Sequence, residues 1–135
     1  MKQAGCNEVD KSMNKMEEFN YTVEQFADLQ LLRYKVYGFE ELSLKQKELI
    51  YYLSQAALQG RDILFDQNGK YNLLIRKMLE TVYTEYQGDR TEVNFVNLET
   101  YLKRIWFSNG IHHHYASDKF EPGLTPEFFR YAMNN

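Results

Sequence analysis

The chain predicts an all-α fold, a bundle of about four to five helices, and three observations predict it. Apolar residues recur every third or fourth position over long stretches, the spacing that gathers them on one face of a helix. Capping residues stand before several of these stretches and glycines close them, the punctuation of helix starts and stops. No turn pair such as Asn-Gly falls between alternating apolar runs, since Asn68-Gly69 separates two helical patterns, so nothing announces a β-hairpin.

The first helix is expected after Thr22, a capping residue, with Val23, Phe26, Leu29, Leu32 and Val36 near helical spacing and Gly38 as its stop. Ser43 and Gln46 have the spacing of a capping box. They open a second helix with Leu49, Ile50, Leu53, Ala56, Ala57 and Gly60 along one face, running through Ile63 and Leu64 to Asn68-Gly69. The small residues on that face predict a close approach by another helix. Tyr71, Leu74, Ile75, Met78, Leu79, Val82, Tyr83 and Tyr86 mark the third helix, which Gly88 ends. The fourth buries Leu98, Tyr101, Leu102, Ile105 and Trp106, turns Lys103 and Arg104 to water, and stops at Gly110. Thr125-Pro126-Glu127 begins a fifth, with a capping hydroxyl, proline at the first helical position and an acid in the first turn. Its Phe128, Phe129, Tyr131 and Met133 have little sequence beyond them, so the chain reads as truncated at its C-terminus.

Composition narrows the function classes. At 135 residues and 44% hydrophobic, the chain suffices for one compact domain burying roughly 65–70% of its unfolded surface. Sixteen basic residues against nineteen acidic ones give a net charge of -3, without the basic block that nucleic-acid binding requires. Apolar runs such as Ile63-Leu64-Phe65 fall far short of the roughly 20 residues of a bilayer span, so no transmembrane segment is expected.

Residues 1–18, rich in Lys, Asn, Glu and Met, read as a disordered tether preceding a helical region at 19–135. Cys6 is the only cysteine, so the fold stands without an internal disulfide. Ala4-Gly5-Cys6 has the small-small-Cys form that ends a bacterial lipoprotein signal, although the apolar segment that should precede it is missing. Two readings stay open: Cys6 as a lipidation point that would place the protein at the cell envelope, or a chance tripeptide in a cytoplasmic protein.

The segment Trp106 to Pro122, WFSNGIHHHYASDKFEP, carries the most chemistry. It ends an apolar helix at Ser108-Asn109-Gly110 and then presents His112, His113, His114 and Tyr115 on a backbone turned by glycine. Consecutive side chains diverge on a helix and alternate on a strand, so one ion takes two of these imidazoles at most. Imidazoles lining a binding surface and imidazoles packing a loop are the two readings left. Nucleophile elbows, phosphate-binding glycine loops and His-Glu-x-x-His are absent from the sequence. Adjacent acids such as Glu40-Glu41 and Glu17-Glu18 read as solvated surface.

The run Leu49-Ile50-Tyr51-Tyr52-Leu53-Ser54-Gln55-Ala56-Ala57, followed by Trp106 to Pro122 with Ser108-Asn109, Asp118-Lys119-Phe120 and Pro122, resembles the N-terminal region of dipeptidyl peptidase III, closest to its Bacteroides-type members. The resemblance covers residue 19 to the end. It implies the N-terminal part of a larger, two-lobed zinc exopeptidase that releases dipeptides from the N-termini of short peptides. In that family the metal is held by a His-Glu-x-x-Gly-His helix and a second, glutamate-bearing helix. Neither motif is present in this sequence, so the resemblance implies zinc in the full-length family, none bound by this fragment, and no catalytic residue here. It also implies that Asn109, Gly110, His113, His114 and Tyr115 face the peptide substrate, with the remainder of the parent enzyme as partner. The alternative is a free-standing helical module that binds a peptide or protein through its terminal aromatics and histidine loop.

Overall fold

The computed structural model describes residues 19–134; Cys6 and residues 1–18, where a tether is expected, lie outside the described residues. The chain is mostly helical, as its periodicity predicts. Two strands, β1 (Thr22–Phe26) and β2 (Leu29–Leu32), and a 3₁₀ turn at Phe39–Glu41 precede α1 (Leu44–Gln59), α2 (Arg61–Gln67), α3 (Asn72–Glu85), α4 (Val93–Ser108) and α5 (Pro126–Asn134).

The expected first helix is a hairpin. β1 and β2 pair antiparallel with Phe26 opposite Leu29 and Glu24 opposite Leu31. Glu24, Phe26, Leu29 and Leu31 lean inward while Val23 and Leu32 are exposed, the twofold alternation of a sheet. Val23, Phe26, Leu29 and Leu32 match both a helical and a strand pattern imperfectly, and the turn decides between them. Ala27 holds φ 49°, a left-handed conformation that glycine or asparagine ordinarily supplies. A tight turn built on Ala27-Asp28 therefore carries no sequence signature.

The second helix divides at Gly60, whose carbonyl receives the Ile63 N–H at 3.2 Å as α2 begins. The capping box at its start forms through Gln46, whose Oε1 accepts from the Ser43 N–H at 2.9 Å and the Ser43 hydroxyl at 2.8 Å. No residue of α1 is buried, so the face carrying Ala56, Ala57 and Gly60 meets no partner helix among the described residues. That expectation is corrected. Apolar periodicity reports that a helix has a face to cover and says nothing of what covers it.

The core lies between α3 and α4, closed by α5. Leu79, Val82 and Tyr86 meet Phe95, Leu98, Leu102 and Ile105, with Phe128 and Ala132 from α5 and Phe65 from α2. Tyr86 stacks on Phe95 at 5.0 Å and takes Phe128 on its edge at 5.7 Å. Burial here raises the Tyr86 hydroxyl pKa, reinforced by Glu92, Tyr131 and Asp89. Thr125 caps α5 through its hydroxyl, which accepts from the Phe128 N–H at 3.2 Å, as the Thr-Pro-Glu signal predicts. Phe128 is therefore covered, while Tyr131 and Met133 are exposed.

Two expectations on α4 change. Trp106 is 42% exposed and donates from Nε1 to Glu80 Oε1 at 2.7 Å. Lys103 and Arg104, expected in water, reach back to the hairpin. Lys103 Nζ lies 2.5 Å from Glu24 Oε1 and 2.9 Å from Glu99 Oε1, and Arg104 Nη2 lies 2.6 Å from Asp28 Oδ1.

Candidate functional site

Helix α4 ends on Asn109, which takes the left-handed conformation, φ 53° and ψ 36°. Both the Asn109 and Gly110 N–H groups reach the Ile105 carbonyl, a helix end closed by a left-handed residue. Asparagine, and not the glycine expected from the sequence, turns the chain. Gly110 is required for another reason: a Cβ there would collide with the Asn72 amide.

From Ile111 to Phe120 the chain doubles back on itself. His112 bridges antiparallel to Lys119, His113 N–H donates to the Asp118 carbonyl at 2.8 Å, and Phe120 N–H donates to the Ile111 carbonyl at 2.9 Å. Phe120 is buried beneath the Arg104 guanidinium, 5.2 Å from its ring centre. This narrow loop carries His112 and His113 on its paired stem and His114 toward its tip.

The imidazoles pack against one another instead of converging. His113 and His114 stack at 4.5 Å with an interplanar angle of 23°, and His114 meets Tyr115 at 3.9 Å and Phe107 edge-on at 5.1 Å. His113 Nδ1 accepts the Tyr115 N–H at 3.3 Å, which leaves only Nε2 to face outward. Near-parallel rings do not aim two lone pairs at one ion. Among the described residues no group of three His, Cys, Asp or Glu side chains could hold a metal.

Between this loop and the start of α3 lies an open cavity of about 580 Å³, lined by Asn68, Asn72, Ser108, Asn109, Gly110 and the three histidines, with Phe107, Ala116 and Ser117. Of the sequence-predicted residues, Asn109, Gly110, His113 and His114 come together on its wall. Tyr115 does not; it is 86% exposed at the loop tip. Asn68, Asn72 and Ser108 escape sequence reading, because an Asn at a helix start reads as a cap and a Ser at a helix end reads as a stop.

Asn72 is the floor of the cavity. It is 2% exposed, and its Oδ1 accepts the Ile111 N–H at 3.3 Å. Its Nδ2 and the Oγ of buried Ser108 have no hydrogen-bond partner among the described residues. Both atoms are shut off from solvent, and an unpaired buried polar group costs about 1–3 kcal/mol. The lining holds no acid, lysine or arginine, and what it offers is neutral hydrogen-bonding capacity beside three imidazoles.

No protein-family model matches the chain, and no curated protein matches it.

Proposed function

We propose that this chain is a non-catalytic helical part of a zinc-dependent dipeptidyl peptidase of the dipeptidyl peptidase III type. In this reading it forms part of the lobe and of the cleft that receives short peptides, while zinc and the catalytic acid belong to other sequence. The observation that carries the reading is the cavity beneath the histidine loop, where Asn109, Gly110, His113 and His114 share a wall. A peptide backbone offers the carbonyls and N–H groups that such a wall can engage. The resemblance of Leu49 to Ala57 and Trp106 to Pro122 supplies the reaction class. Purified chain given zinc and a dipeptidyl-arylamide is expected to release no arylamine, and release abolished by a chelator would overturn the assignment of catalysis elsewhere.

A second reading, a helical module that binds a peptide or protein without catalysis, is favoured by α1. Leu49, Ile50, Tyr51, Tyr52 and Leu53 are all exposed there, an apolar surface of the kind that marks an interaction site. It exceeds what the terminal aromatics offer, since Phe128 is already buried in the core. Cell-envelope anchoring through Cys6 remains a proposal under either reading, and mass spectrometry of the native N-terminus tests it. No helix among the described residues is long and apolar enough to cross a membrane.

A further inference from the structure

We propose that α1 pairs with α1 of a second copy of this chain, the two helices running antiparallel about a two-fold axis. This inference rests on the reading of α1 as an interaction surface and is independent of the cavity beneath the histidine loop.

A surface helix ordinarily buries an apolar stripe and covers its other side with charge. Helix α1 does neither. None of its 16 residues is buried, and from Leu49 to Gly60 the sequence carries no Asp, Glu, Lys or Arg. Leu49 is 59% exposed, Ile50 44% and Leu53 59%. Together with Ala56, Ala57 and Gly60 they recur at helical spacing along one face. A lone helix of about this length is marginal in water, and most helical stability comes from packing of an apolar face. The face therefore calls for a cover.

The order of side-chain sizes along the face identifies that cover as a second copy. Leu49, Ile50 and Leu53 fill its N-terminal half, and Ala56, Ala57 and Gly60 leave its C-terminal half shallow. An antiparallel pair whose axis lies level with the Ser54–Gln55 peptide sets Leu53 of one copy over Ala56 of the other. The same register sets Leu49 over Gly60 and brings Ile50 beside Ala57. Each ridge then meets a hollow, and the helices can close to about 8 Å, the near end of helix packing. A parallel pair would stack Leu49 on Leu49 and Gly60 on Gly60, overfilling one half and leaving the other empty. Two-fold interfaces must be self-complementary, and this face meets that condition. Its lack of charge also spares two identical seams the like-charge repulsion they would otherwise share. A 16-residue helix is about 24 Å long and 10 Å across, so the pair buries on the order of 1,000 Å², the lower edge of specific interfaces. The dimer is accordingly weak, and dilute chain is monomeric with α1 bare.

The test is sedimentation equilibrium of the whole chain from about 1 μM to about 1 mM, where a reversible monomer–dimer equilibrium is expected. Two variants separate this seam from general stickiness. Leu53→Lys puts a charge at its centre and should keep the chain monomeric, while the melting temperature of dilute protein holds because Leu53 is exposed in the single chain. Ala56→Leu adds apolar surface but fills the hollow that receives Leu53, and should weaken the dimer about tenfold. Tighter association of Ala56→Leu would overturn the register. In a mixture of isotope-labelled and unlabelled chain, magnetisation transfer from Leu49 methyls to Gly60 of the other copy supports the antiparallel pair, and transfer from Leu49 to Leu49 overturns it. A chain that stays monomeric at about 1 mM overturns the second copy as occupant. Amide exchange on α1 then tells the two failures apart: fast exchange leaves the surface to a different protein, and exchange as slow as on α4 removes the interaction surface as well.

Discussion

Lys103 on α4 grips Glu24 on β1 across 79 residues of sequence, Nζ to Oε1 at 2.5 Å. With Arg104 on Asp28 and the Lys103 ammonium 6.0 Å above the Phe26 ring, this pair ties the hairpin to the helical body. Partly exposed ion pairs of this kind contribute at most about 1 kcal/mol each. Lys103→Met is therefore expected to lower the melting temperature only slightly while speeding hydrogen exchange at Glu24 and Phe26, alternate positions of the ladder. Unchanged exchange there would show that apolar contacts alone seat the hairpin.

The same pair gives a pH dependence. The hydrogen bonds that Lys103 donates to Glu24 and Glu99 raise its pKa above the ordinary value, against a smaller opposing effect of burial. A raised lysine stabilises fully below its unfolded value, about 10.4, and that stabilisation is lost as pH climbs through the folded value. Hairpin protection in the parent should thus decline above about pH 10.4, and Lys103→Met should lack this alkaline step. Exchange measured from pH 9 upward, on the order of one unit per step, resolves it.

Gly110→Ala places a methyl group against the Asn72 amide and should destabilise by about 1–3 kcal/mol, the usual cost of overpacking. Asn72→Ala removes the obstacle. The double variant should then be less destabilised than the sum of the singles by about 1 kcal/mol or more. Additive losses in urea unfolding would mean that the two residues do not touch.

Leu102 is fully buried between Leu98 and Ile105 on the inner face of α4. Leu102→Ala should cost about 2–5 kcal/mol, measured by the same unfolding, and Leu53→Ala on exposed α1 should cost far less in the isolated chain. Similar losses at both positions would place an unseen cover over α1.

How far the sequence discloses this molecule depends on whether each signal is local. Thr125-Pro126 and Ser43-Gln46 name their helix starts because caps act within three residues. Leu98, Leu102 and Ile105 name the core because burial follows the helical period. The hairpin stays hidden because Ala27 turns the chain without a turn residue's signature, and Lys103 finds Glu24 only once that hairpin exists. The site divides the same way. Asn109, Gly110 and the histidines stand out along the chain, whereas Asn72 joins them from 37 positions away, by counting from residue 72 to residue 109, through packing that no local pattern encodes.

The central claim is that the histidine loop meets a peptide. Backbone amide mapping of the purified chain during titration with tetra-alanine tests it most directly. The account predicts shifts at Asn109, Gly110, His113, His114 and Tyr115, with α1 silent. Shifts confined to Leu49 through Leu53, or none at any peptide concentration, would contradict it.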